Sequence, residues 1–159
     1  MNKVSIMDKV TWCITTVFGT GYAPLCPGTA ACVLAVPIFI FVKNPFIFFV
    51  LTLILVIVAF IFSGRAEKIF GEKDSKKIVI DDFAGQLITY LFIPCNIKFI
   101  ISGFFLFRMF DMLKIPPANR IEKFHGSLGV VGDDVAAGIW ANLVLHVVIY
   151  LLRIRVGVV

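Results

Sequence analysis

Residues 45–62 read PFIFFVLTLILVIVAFIF, eighteen positions without one charged side chain. At 1.5 Å per residue, about 20 residues cross a hydrocarbon core of ~30 Å, so this run is long enough to span a membrane. On either side of it the chain stays apolar in blocks. Residues 30–42 precede it across the turn Lys43-Asn44-Pro45, and a charged stretch, residues 65–82, follows. Residues 83–93 and 97–110 form two more apolar blocks around Pro94-Cys95-Asn96. A second polar stretch, residues 111–134, leads to a last apolar block, residues 135–152, closed by Arg153 and Arg155. The expected fold is an all-α, polytopic membrane bundle of about four to five apolar helices in one domain spanning residues 1–159. The first, third and fourth blocks are short enough to be tilted or re-entrant. Backbone at membrane depth must be covered by protein or line a wet cavity, so short segments point to a polar cleft.

Composition agrees. The 159 residues are 60% hydrophobic and 16% charged, against about 25% charged in a soluble domain. The opening residues, MNKVSIMDKVTWCITTVFG, read as an N-terminal interfacial helix. Cys13, Cys26, Cys32 and Cys95 form no CxxC pair and read as small buried hydrophobes. No basic run with interleaved aromatics suggests nucleic acid.

Two hairpins, at Lys43-Asn44-Pro45 and Pro94-Cys95-Asn96, put the N-terminus, the Gly-Pro loop at residues 19–29 and both polar stretches on one side. That side carries eleven of the fifteen Lys and Arg and all ten acids. By the positive-inside tendency it faces the cytoplasm.

The acids are patterned. Asp81-Asp82-Phe83-Ala84-Gly85 and Asp133-Asp134-Val135-Ala136-Ala137-Gly138 each place two carboxylates before an apolar block. Capping explains one acid, since Asp is a favoured N-cap and suits the positive end of a helix dipole. Doubled pairs at a bilayer edge repel each other, and a divalent cation relieves that cost. Oxygen-only donors of this kind suit Mg²⁺. Arg108, Asp111 and Lys114 are three apart and share a helix face. They read either as an ion-pair ladder or as a metal ligand (Asp111) beside two phosphate-binding cations. Thr29 could cap the first apolar block. His125, in a Gly-rich turn, and Glu67 are further candidates that read equally as surface groups. His146 reads as packed or interfacial, while Gln86 and Asn142 are expected to hydrogen-bond inside the bundle.

Four stretches in order resemble the phosphatidylglycerophosphatase A family: Pro27-Gly28-Thr29; Asp81-Asp82-Phe83-Ala84-Gly85-Gln86; Phe107 to Lys114 as FRxxDxxK; and Gly126 to Gly138 as a Gly-rich turn into GxxxDDxxAG. The resemblance covers roughly residues 18–152. It implies a Mg²⁺-dependent enzyme of the bacterial inner membrane that removes the terminal phosphate of phosphatidylglycerophosphate. Its implied acidic site is Asp81, Asp82, Asp111, Asp133 and Asp134. Beside it, Arg108, Lys114, Arg120 and Thr29 are the groups expected to meet the substrate phosphate. Asp82 stands where the family usually has Glu, Lys114-Ile115-Pro116-Pro117 replaces a Lys-Pro start, and Ala31-Cys32 replaces Gly-Ser.

Other phosphate chemistries lack their signatures here. DxDxT, Cys-x₅-Arg, DGxxAR and an SGH core are all absent. A small cation-binding transporter or channel subunit is the alternative, because acids at membrane depth are functional by default. An inert structural subunit would leave the paired acids unexplained.

Overall fold

The structure, a computed structural model, describes residues 5–72, 75–121, 124 and 126–156. Among these residues all regular structure is helical: α1 (Ile6–Thr15), α2 (Pro27–Phe41), α3 (Pro45–Phe70), α4 (Ile80–Thr89), α5 (Ile97–Leu113), α6 (Ala118–Ile121) and α7 (Ser127–Val156), with a 3₁₀ turn at Thr20–Tyr22.

The two expected hairpins are present, and in each the Asn starts the next helix. The Asn44 side chain accepts from the Phe46 and Ile47 N–H groups at 2.9 and 3.2 Å, and that of Asn96 accepts from Lys98 N–H at 2.9 Å. Pro45 follows Asn44 at the first helical position, where its missing N–H costs nothing.

Each of the five apolar blocks forms a helix, but with different bounds. Two helices are long and apolar enough to cross a membrane, Pro45–Phe70 and Ser127–Arg153. The α3 helix runs two turns past its apolar block through Arg65 and Lys68, and ends at Gly71 in the left-handed region. The α7 helix begins eight residues before its apolar block, so Asp133 and Asp134 lie inside a helix and not ahead of one. Helix capping, the alternative use for an acid pair, is therefore not open to Asp133 and Asp134. Thr29 is not a cap either, because α2 starts at Pro27.

At ten residues, α4 is ~15 Å long and is the most enclosed element, with nine of its residues buried. It packs against α2, α3, α5 and α7. Its C-terminal carbonyls lie inside the bundle. Asn142 of α7 satisfies two of them, its side-chain N–H groups donating to Thr89 O and Leu91 O at 3.1 and 2.8 Å. Tyr90 Oη donates to Ile100 O at 2.8 Å. The expectation for Asn142 holds. That for Gln86 does not: it is wholly buried, and its amide has no hydrogen-bond partner among the described residues.

The N-terminal helix is inverted relative to a soluble one. Thr11 and Thr15 point inward, their hydroxyls bonded back to Met7 O and Thr11 O, while Ile6, Met7 and Val10 point out. Phe46, Ile61, Phe105 and Tyr150 are likewise exposed, each by 63–70%. Such a surface is stable against lipid and not against water; with its two long apolar helices, the molecule is a membrane protein.

Candidate active site

Two glycine contacts explain why the acid pairs meet. A Cβ added to Gly138 would lie 2.5 Å from Gly85 O, and one added to Gly85 would lie 2.8 Å from Asp134 O. The α4 and α7 backbones therefore touch where the two echoed motifs carry glycine. The acids four residues before each glycine are carried to the same place. Oxygens of Asp81, Asp82 and Asp134 all lie within 4.8 Å of one another.

The α5 helix supplies the cations. The Arg108 guanidinium donates to Asp82 Oδ1 and pairs with Asp111 Oδ2 at 3.0 Å. Lys114, at the left-handed C-cap of α5, reaches Asp133 Oδ2 at 2.9 Å. The expected face of Arg108, Asp111 and Lys114 is thus real, but it is turned into the site. Asp81 Oδ1 accepts the Asp82 N–H at 3.0 Å. Burial pushes the Asp82 carboxyl up from its ordinary range to about 6, against the pull of Arg108 and with the Asp111 charge adding to the rise.

These groups line a cleft of about 330 Å³. Another wall is the start of α2, Cys26 to Gly28, where a Cβ on Gly28 would fall 2.1 Å from Asp82 Oδ2. Only glycine lets the α2 backbone come this close. The unpaired N–H groups of a helix's first turn suit an anion.

Seven of the nine expected site residues line the cleft: Asp81, Asp82, Asp111, Asp133, Asp134, Arg108 and Lys114. Thr29 and Arg120 do not, Arg120 being exposed on α6. Glu67 is on α3 outside the lining, and His146 is exposed on the outer face of α7. His125 lies outside the described residues. Sequence reasoning missed Lys76, which lines the cleft from the loop before α4. It also missed Cys32, whose sulfur sits 3.7 Å from Asp82 O and 3.8 Å from Arg108 Nη1. Nothing in the spacing of either residue marks it.

The donor set fits a magnesium ion. Oxygens around one Mg²⁺ at ~2.1 Å are at most ~4.2 Å apart. The three carboxylates would close by less than an ångström to reach that, and a cation between them would offset the mutual repulsion that otherwise holds them apart.

The family model described as phosphatidylglycerophosphatase A matches residues 13–149. A Bacteroides thetaiotaomicron protein named "Putative phosphatidylinositol-3-phosphatase" is 35% identical over 144 residues, covering 84% of this chain and 90% of its own. The Escherichia coli K12 protein named phosphatidylglycerophosphatase A is 30% identical, covering 81% of this chain and 77% of its own. That of Haemophilus influenzae is 30% identical over 94% of both chains. No solved structure matches at a significant level.

Proposed function

Because the chain belongs to the phosphatidylglycerophosphatase A family, it is a membrane phosphatase, and we propose that it hydrolyses phosphatidylglycerophosphate with Mg²⁺. The products are phosphatidylglycerol and inorganic phosphate. The observation that carries this reading is the meeting of Asp81, Asp82 and Asp134 beside the Arg108 guanidinium in one cleft. Asp81, Asp82 and Asp134 would hold the ion, with Asp111 and Asp133 beside them. When bound, Mg²⁺ supplies charge to the phosphoryl oxygens and lowers the pKa of water.

The chain's own groups do the rest. Arg108 presents a planar fork suited to phosphoryl oxygens, and Lys114 adds a point charge as negative charge spreads over them. The start of α2, Cys26 to Gly28, lines the same cleft. A water oxygen bonds to phosphorus as the bond to the head-group oxygen breaks. The water's proton passes to a carboxylate, and the leaving oxygen takes up a proton.

The location that follows is the bacterial inner membrane, with several crossings, α1 in the interface and the cleft opening to the cytoplasm. The cleft lies at one end of the bundle, where a lipid head group sits. That placement favours the enzyme over a transporter. Purified protein in detergent should release phosphate from phosphatidylglycerophosphate with Mg²⁺ and lose that activity with chelator. Turnover unaffected by chelator would remove the metal from the proposal. The name of the Bacteroides relative makes phosphatidylinositol 3-phosphate the second substrate to assay.

A further inference from the structure

We propose that Lys76 forms a second anion subsite, which holds the phosphodiester of a substrate lipid while the acid cluster works on its phosphate monoester. The inference rests on the lipid-phosphatase reading above and narrows its substrate class.

Three cations line the cleft, and two are committed. Arg108 pairs with Asp82 and Asp111, and Lys114 with Asp133. Lys76 lines the same cleft, is exposed, and has no carboxylate partner among the described residues. Its neighbour Lys77 is turned away, with its ammonium 5.6 and 5.5 Å from the ring centres of Tyr22 and Phe70.

The backbone that carries Lys76 is held in place. Ser75 and Ile78 on either side are buried, and Ile78 N–H donates to Ser75 O at 2.8 Å. Val79 N–H donates to Thr15 O at 2.9 Å. Gly21 packs so closely that a Cβ there would fall 2.1 Å from Lys77 O. A fixed backbone thus presents one long, uncommitted cation at the mouth of an acidic cleft. Among the described residues it pairs with none of the acids, while Arg108 and Lys114 are taken up by Asp82, Asp111 and Asp133. It suits a further anion on the molecule that enters.

The chemistry of that anion follows from the lipids. Phosphatidylglycerophosphate and phosphatidylinositol 3-phosphate share one pattern. A phosphate monoester sits on a polyol head group, and a phosphodiester ties that polyol to diacylglycerol. A phosphodiester carries one negative charge, which a lysine ammonium on a flexible stem can meet without a fixed fork. Phosphatidic acid is also a lipid phosphate monoester but has no diester, so it cannot use the subsite.

The test is Lys76→Gln in neutral detergent micelles, free of other phospholipid, with Lys76→Arg as the charge-keeping control. The reading is apparent affinity for phosphatidylglycerophosphate relative to phosphatidic acid, each as KM or as Ki in competition. Lys76→Gln should weaken affinity for the diester lipid by roughly two- to fivefold relative to phosphatidic acid, with kcat little changed, and Lys76→Arg should restore it. Equal weakening for both lipids, or none for either, overturns the proposal. So does an effect that appears only after bulk phospholipid is added, which would assign Lys76 to the surrounding bilayer. A wild-type protein that hydrolyses none of these lipids would instead overturn the function proposed above. Selectivity lost in Lys76→Gln while phosphate release persists bears on the subsite alone.

Discussion

The two acid pairs share a local sequence but not a local structure. Asp81 and Asp82 sit in the first turn of α4, where the helix dipole stabilises carboxylates. Asp133 and Asp134 lie about two turns inside α7, where no backbone N–H is free to receive them and both are buried. The first pair would have a structural use in any soluble helix. The second has none, and two buried carboxylates weaken a fold unless something else meets their charge. The common element is a glycine, four residues on from Asp81 in one helix and from Asp134 in the other, and the two glycines bring the backbones into contact. The echo therefore encodes a crossing point more than a cap.

The sharpest way to break this comparison is Asp134→Asn. Activity should fall by on the order of 10³, while the unfolding temperature measured without divalent cation should hold or rise, because a neutral amide replaces a buried charge. If activity survived and stability dropped, Asp134 would be a structural residue after all.

Next in size is Gly138→Ala. The added Cβ meets Gly85 O, which is backbone and cannot swing aside. The expected cost is about 1–3 kcal/mol, with phosphate release falling as the acid pairs move apart. Thermal unfolding and activity, measured together, would separate a crossing point from a site where helices merely approach. An unchanged melting temperature and rate would show that α4 and α7 tolerate spreading.

The smallest effect tests an acid that plays no part in the cleft. Asp8 is held below the ordinary carboxylate range by the Arg65 guanidinium, 2.9 Å away. A lowered folded-state value means that its contribution is present above pH ~4 and is lost as pH falls below that. Asp8→Asn should therefore lower the unfolding temperature slightly at neutral pH and not at all near pH 2, with activity retained. A loss of activity as large as that for Asp134→Asn would show that α1 is coupled to the chemistry.

Much of this was legible in one sequence because the governing signals are local. An uncharged eighteen-residue run, two Asn-containing turns and paired acids beside glycines need no knowledge of distant neighbours. The bounds were not legible in the same way. The α7 helix extends through Ser127-Leu128-Gly129 and the acid pair because tertiary packing against α4 outweighs poor helix propensity. Lys76 lay in an ordinary charged stretch, and only a clamp formed by residues 15 and 21 turns it toward the cleft. Thr29 was misread because hydroxyl capping is the common pattern, whereas α2 begins two residues earlier, at Pro27.

The half-length α4, tied at its C-terminal end by Asn142, sets an order of assembly. A ten-residue helix is too short to lodge in a bilayer by itself, and its open carbonyls would be costly there. Asn142 leaves the ribosome some fifty residues after the groups it binds, Thr89 and Leu91. During synthesis α4 must wait, unsettled, for α7. Two of the five site acids, Asp133 and Asp134, ride on that same later helix, so the cleft is complete only once α7 has packed against α4. A chain that stalled before α7 would carry Asp81, Asp82 and Asp111 to the membrane without the rest of the site.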